Sequence, residues 1–240
     1  MGDRRIFVLI SANSEWRAVK KILNPSRLTS TLFGEVFKKK VDHWQVTFVQ
    51  GGWGKISASA STQYVINHFH PELLVNLGTC GGFEGYIDRG TILLVTKTVV
   101  YDILEQMSDP EIAISYYSTD LDLSWFNSPN PQSNDLLPLV SGPLASADRD
   151  LIAQDIPGLV EKYGVVAADW ESAAIAWVAN QNKVRCLILR GVTDLVGPSG
   201  GEAYGDIELF HSRTMEIMQV LLEQFPRWLS QISWQNKTGM

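Results

Sequence analysis

The chain has 240 residues, 45% of them hydrophobic and 19% charged, and a formal net charge of -6. That length and balance fit one large α/β domain over 1–240 and exclude a disordered tail. The negative charge, with no basic stripe, excludes an electrostatic grip on nucleic acid; the run Lys38, Lys39 and Lys40 is expected on a solvated strand edge or turn.

Ile6 to Ile10 (IFVLI) is wholly apolar, the pattern of a strand covered on both faces, and is too short for a signal-peptide core or a membrane span. His43 to Val49 reads as a strand stopping at Gly51-Gly52, and residues 55–69 as a helix. After Pro71, Leu73 to Leu77 forms a buried strand ending at Gly78, and Thr91 to Val100 is the next. Segment 101–126 carries Ile112, Ile114, Tyr116, Tyr117, Trp125 and Phe126, which suit a dimer interface or an internal hydrophobic flap equally well. Residues 127–135 (NSPNPQSND) read as a loop, an excursion within one domain. Gly164 to Ala168 reads as a short strand, 170–181 as a helix, and Arg185 to Leu189 as a strand ending at Arg190-Gly191. A loop at 197–206 then precedes a helix over roughly 207–231. This alternation predicts a three-layer α/β/α fold with a central twisted mixed, largely parallel sheet. Cys80 and Cys186 lie in apolar runs and are expected as reduced thiols of a cytoplasmic protein.

In open α/β sheets, ligands sit outside the carboxyl ends of the strands. Five apolar runs are followed there by reactive or flexible residues: Ser11 to Glu15, Gly51 to Lys55, Gly78 to Gly82, Asp169 to Glu171, and Arg190 to Asp194. Taken singly, each has an ordinary explanation. Strand-end glycines serve turns, Asp194 could cap a helix, Glu171 could answer a helix dipole, and Glu15 could be a solvated helix residue. Cys80 has no histidine at a comparable strand end, so a Cys-His nucleophile is not indicated. Metal-ligand spacing is absent, and neither GGWGK nor GTCGG meets the dinucleotide or triphosphate loop pattern, so no cofactor is expected.

Together the segments resemble the nucleoside phosphorylase and nucleosidase family, nearest its 5'-methylthioadenosine/S-adenosylhomocysteine nucleosidases and futalosine hydrolases. The resemblance runs from Ile6 to about Phe210 and is carried by VQGGWGKISASASTQYVI, HPELLVNLGTCGGFEGYIDRGTILLV, VVAADWESAAIAWVA and LILRGVTDLV. It implies that Asp194 is the general acid for the leaving purine, Glu171 the carboxylate on the ribose hydroxyls, and Glu15 the activator of water. It places Thr79 at the water or phosphate site, Cys80 and Gly81 among the substrate-binding residues, and Trp170 beside the sugar, where the family has Met. Arg190 is expected to orient Asp194 or hold the strand end. The chemistry asks that the acid be raised in pKa by burial while Glu15 stays ionised.

Phosphorylases of the family carry an Arg for phosphate where this chain has Asn76, and the nucleosidases have Asn there. With Glu15, this favours water over phosphate as nucleophile. The family's adenine-binding run ends in Ser-Gly-Asp-x-Phe; here Ser146-Ala147-Asp148-Arg149-Asp150 puts Asp150 in place of the stacking Phe. Trp53, Trp170 or Phe83 are candidates to compensate, with Leu151 left to read the base through its backbone. The reading is therefore a nucleosidase acting on a purine nucleoside as a homodimer or higher homo-oligomer. A phosphate-dependent phosphorylase and a non-catalytic nucleoside-binding homologue are the alternatives.

Overall fold

A computed structural model of the chain describes residues 4–127 and 139–234. Beyond Asn127, the loop expected at 127–135 lies outside the described residues. In chain order the elements are β1 (Ile6–Ile10), α1 (Asn13–Leu23), β2 (Thr29–Ser30), β3 (Glu35–Val41), β4 (Trp44–Gln50), α2 (Gly54–Phe69), β5 (Leu73–Phe83) and β6 (Ile92–Val100). There follow α3 (Pro110–Tyr117), β7 (Thr119–Asp120), β8 (Leu139–Ser146), α4 (Ile156–Tyr163), β9 (Ala167–Asp169), α5 (Ser172–Gln181), β10 (Arg185–Gly197), β11 (Gly200–Gly201) and α6 (Ile207–Ser230).

Strand order is β11-β10-β6-β8-β9-β5-β1-β4-β3-β2, with β7 against β6. Because β5 also pairs with β10, the strands β5, β10, β6, β8 and β9 close a circuit. The pairings of β1 with β4 and β5, of β5 with β10 and of β6 with β8 are parallel; those of β3 with β4 and β6 with β10 are antiparallel. The fold is thus the mixed α/β arrangement expected.

β1 shows why its run is apolar throughout. Ile6, Val8 and Ile10 pack with Trp16 of α1 and with Met218 and Phe225 of α6, whereas Phe7 and Leu9 pack with Ala58 and Val65 of α2 and Ile175 of α5. A strand with helices on both faces has no side that can stay polar.

Five strands were not expected, the two-residue β2, β7 and β11 and the longer β3 and β8. β3 (EVFKKKV) hides behind its lysine run, which lies near the sheet edge as expected, and Lys39 Nζ donates to the Leu23 carbonyl at the end of α1. β8 (LVSGPLAS) carries Gly142 and Pro143, which read as strand breakers.

The expected ends of two strands are corrected as well. β5 does not stop at Gly78, nor β10 at Arg190; both run on side by side past the expected termini, with a bulge in β10 between Val192 and Asp194. Gly78 serves close packing, not a turn: a methyl group there would overlap Arg190 Nη1.

Segment 101–126 divides. Ile114, Trp125 and Phe126 are buried, while Leu104, Met107, Ile112 and Tyr116 face outward. Neither alternative for this segment describes all of it.

Candidate active site

The closed circuit and the amino ends of α1, α2, α5 and α6 line a cavity of about 680 Å³. Glu15, Thr79, Cys80, Gly81, Asp150, Leu151, Trp170, Glu171 and Asp194 all stand on its wall.

Glu15 enters from the first turn of α1 and is buried. Its Oε1 accepts the Thr79 N–H at 2.6 Å and the Thr79 hydroxyl at 2.9 Å, and its Oε2 accepts the Ala12 N–H at 3.2 Å. Ala12 has no side-chain oxygen to cap α1, so Glu15 closes that turn alone. Burial pushes the Glu15 carboxyl above its ordinary value, against the charge of Arg190 and the bonds from Thr79 and Ala12.

Glu171 is the residue before α5, and its Oε1 accepts the Gly54 N–H at 3.1 Å. Gly54 opens α2 at φ +81°, a conformation that favours glycine, and so aims that N–H across the cavity edge. The next amide, of Lys55, donates to Asp148 at 2.8 Å, so two distant carboxylates satisfy the start of α2. Burial, then the charges of Asp169 and Glu15, push Glu171 well above the carboxylate range, while Arg190 opposes them.

Asp194 lies just past the bulge of β10, and its Oδ1 accepts the Thr193 hydroxyl at 2.7 Å. Burial raises its pKa against that hydrogen bond. Burial moves Glu15, Glu171 and Asp194 in the same direction, while Arg190, Thr79 and Ala12 favour the ionised form that Glu15 was expected to keep.

Arg190 is not on the wall. Fully buried behind it, the guanidinium donates from Nε to Asp169 Oδ2 at 2.8 Å and to Ser172 Oγ at 2.9 Å, and from Nη2 to Asn76 Oδ1 at 2.6 Å. Asp169 also accepts the hydroxyls of Ser146 and Ser172, each at 2.5 Å. Arg190 thus ties the middle of β10 to Asp169, Ser172 and Asn76 and makes no hydrogen bond to Asp194. Its Nη1 has no hydrogen-bond partner and lies beside Gly78, as does Glu15 Oε1.

Asn76 is corrected too. It is buried, donates to the Leu9 carbonyl at 2.9 Å, and belongs to the Arg190 network, not to the cavity wall.

Trp53 and Trp170 both reach the cavity and stack on each other, with centroids 4.8 Å apart. Phe83 packs in the core with Val99 and Ala145 and takes no part in the wall. The Leu151 carbonyl accepts the Tyr204 hydroxyl at 2.7 Å, fastening the turn before α6 to the 149–151 segment. Burial pushes the Tyr204 phenol up to about 12, helped by the carboxylates of Asp150 and Asp194. Burial likewise keeps Cys80 a neutral thiol.

Sequence reasoning missed the wall contributed by Arg17, Tyr204, Ile207, Phe210 and His211. Strand ends alone do not reveal residues carried on the first turns of helices; the amino end of the helix expected over 207–231 was the signal that could have found Ile207, Phe210 and His211. Among the described residues no group of three His, Cys, Asp or Glu could hold a metal ion, and no helix is long and apolar enough to cross a membrane.

A mixed sheet closed around a carboxylate-lined cavity marks an enzyme-like α/β scaffold, and its relatives specify which. A sequence model of the phosphorylase superfamily matches residues 14–226, and the chain belongs to that superfamily. A 5'-methylthioadenosine/S-adenosylhomocysteine nucleosidase from Bacillus thuringiensis (strain Al Hakam) is 24% identical over 230 residues, covering 91% of this chain and 99% of the relative. The solved nucleosidase of the same name from Helicobacter pylori superposes with a TM-score of 0.76 at 17% identity, covering 97% of this chain and all of the other. The futalosine hydrolase of Helicobacter pylori gives 0.71 at 17% identity, with 92% and 98% covered.

Proposed function

We propose that the chain is a nucleosidase that hydrolyses the N-glycosidic bond of a purine nucleoside to free base and ribosyl sugar. The observation that carries this reading is the convergence of Glu15, Glu171 and Asp194 on one cavity, with Glu15 clamped by Thr79. Its relatives named as nucleosidases and a futalosine hydrolase support it.

Breaking the bond leaves positive charge on the ribosyl ring and negative charge on the base. Asp194, raised in pKa, holds a proton to give to the purine's five-membered ring. Glu171 accepts hydrogen bonds from the ribose hydroxyls. Glu15 takes a proton from water, and the buried charge of Arg190 favours its ionised form. Trp53 and Trp170 supply the aromatic surface that Asp150 does not.

Water is favoured over phosphate because the nucleophile's place adjoins Glu15, on a wall that also carries Asp169. A phosphate dianion there would face these carboxylates. Asn76 contacts Arg190 and does not face that place. Base release should proceed in phosphate-free buffer, and strict dependence of turnover on phosphate would overturn the reading. Tight nucleoside binding without any base release would instead favour a binding homologue.

The outward side chains Leu104, Met107, Ile112 and Tyr116, with Ile56 also exposed, support a homodimer. Sedimentation of the intact chain tests it, a monomer at micromolar concentration being the contrary result. Two unpaired buried cysteines support a cytoplasmic location, which cell fractionation checks.

A further inference from the structure

On the nucleosidase reading, Asp194 and the 149–151 segment stand at the base, and Glu171 stands at the ribose hydroxyls. A further part of the wall comes from the amino-terminal ends of α1 and α6, with Asn13, Arg17, Asp206, Ile207, Phe210 and His211. This is the wall left for whatever the ribose carries at its 5' position.

Its charge differs from that of the rest of the cavity. Arg17 Nη2 lies 3.1 Å from Nε2 of His211, and no carboxylate among the described residues forms an ion pair with Arg17. In a chain with 26 acidic residues and a net charge of -6, a cavity-wall guanidinium whose partner is a histidine ring is uncompensated. Arg149, the other arginine of the wall, shows the contrast: it pairs with Asp155 at 2.5 Å and lies over the Tyr101 ring. Apart from Asp206, whose carboxylate is engaged by the Leu209 N–H at the start of α6, the acidic groups of the wall, Glu15, Asp150, Asp169, Glu171 and Asp194, lie elsewhere. A negative group on the ligand is repelled along that side and attracted at Arg17, whose charge no carboxylate pairs among the described residues.

We infer that Arg17, with His211, is a specificity site for substrates whose 5' substituent ends in an anion, a carboxylate or a phosphate. The assignment of the anion to the 5' position rests on the nucleosidase reading. Guanidinium matches either anion through paired N–H donors, and its position at the cavity rim makes the attraction sensitive to salt.

The test compares three nucleosides, each with adenine or hypoxanthine as base: a neutral 5'-propylthio compound, its 5'-(2-carboxyethyl)thio analogue, and the 5'-monophosphate. In the unaltered enzyme at least one anionic compound should exceed the neutral one in kcat/KM, with a margin that shrinks as sodium chloride is added. In R17Q the ratio of anionic to neutral should fall by about five- to tenfold, chiefly through KM. The carboxylate and phosphate arms tell an extended tail from a charge on the 5' carbon itself. A ratio equal in the unaltered enzyme and R17Q overturns the inference. If no compound releases base, the nucleosidase reading fails, and dissociation constants for the same compounds, measured by calorimetry, decide the role of Arg17 on the same ratio.

Discussion

Thr79 holds one carboxylate oxygen of Glu15 twice, through its backbone N–H and through its hydroxyl. The contact joins the middle of β5 to the first turn of α1, and both donors favour the ionised carboxylate that burial disfavours. The readiness of Glu15 to accept a proton is thus set by a neighbour that does not itself titrate.

Thr79→Val keeps the N–H and the volume but removes the hydroxyl. Glu15 should then rise further in pKa. A base is active only when ionised and is lost as pH falls through its pKa, so the acidic limb of the kcat profile should move to higher pH. At neutral pH a loss of about tenfold is expected, narrowing as pH rises. An unmoved acidic limb would remove Glu15 from the base role.

Asp194→Asn keeps the shape and removes the transferable proton. Base release should fall by about 10²–10⁴-fold with little change in nucleoside binding. In the parent enzyme the acid is lost as pH rises through its raised pKa, which adds an alkaline limb. Unchanged base release in the variant would exclude Asp194 as the acid.

Glu171→Gln should stabilise the fold while impairing turnover. The folded-state pKa of Glu171 lies above its unfolded value, so its stability contribution is present below the unfolded pKa and is lost as pH rises through the folded one. The amide escapes that loss. The Tm of the variant should exceed the parent's by a margin that grows from acid to neutral and alkaline pH, at about 2–4 °C per kcal/mol for a chain of this size. A pH-independent margin would contradict the assigned shift.

Arg190→Met leaves Asp169 buried without its cation. Such single removals cost about 3–5 kcal/mol, so urea unfolding should show a large loss. Adding Asp169→Asn removes the stranded charge and should recover part of it. Additive losses in the pair would mean that the two side chains act independently.

The sheet-helix alternation was legible because both faces of β1, β5 and β10 are covered, leaving continuous apolar runs. β8 was not: its Gly142 and Pro143 imitate a loop, and only pairing with β6 makes the segment a strand. Among site residues, Glu15, Glu171 and Asp194 were readable because each interrupts or follows an apolar run with a carboxylate. Arg190 was misplaced because sequence order says that it precedes Asp194 but not that its side chain turns away, towards Asp169. Asn76 was misread in the same way. The wall from Arg17, Tyr204 and His211 depends on how α1 and α6 come together, which no local pattern records.

The closed circuit of strands has a kinetic consequence. Thr193 and Cys80, 113 positions apart, meet only when β10 docks along β5. Closing so long an interval is entropically slow, so ligand affinity should emerge late in refolding, after most helical signal has returned. A nascent chain released before β10 has no partial site to offer, and nucleoside can protect the finished protein without guiding its early collapse.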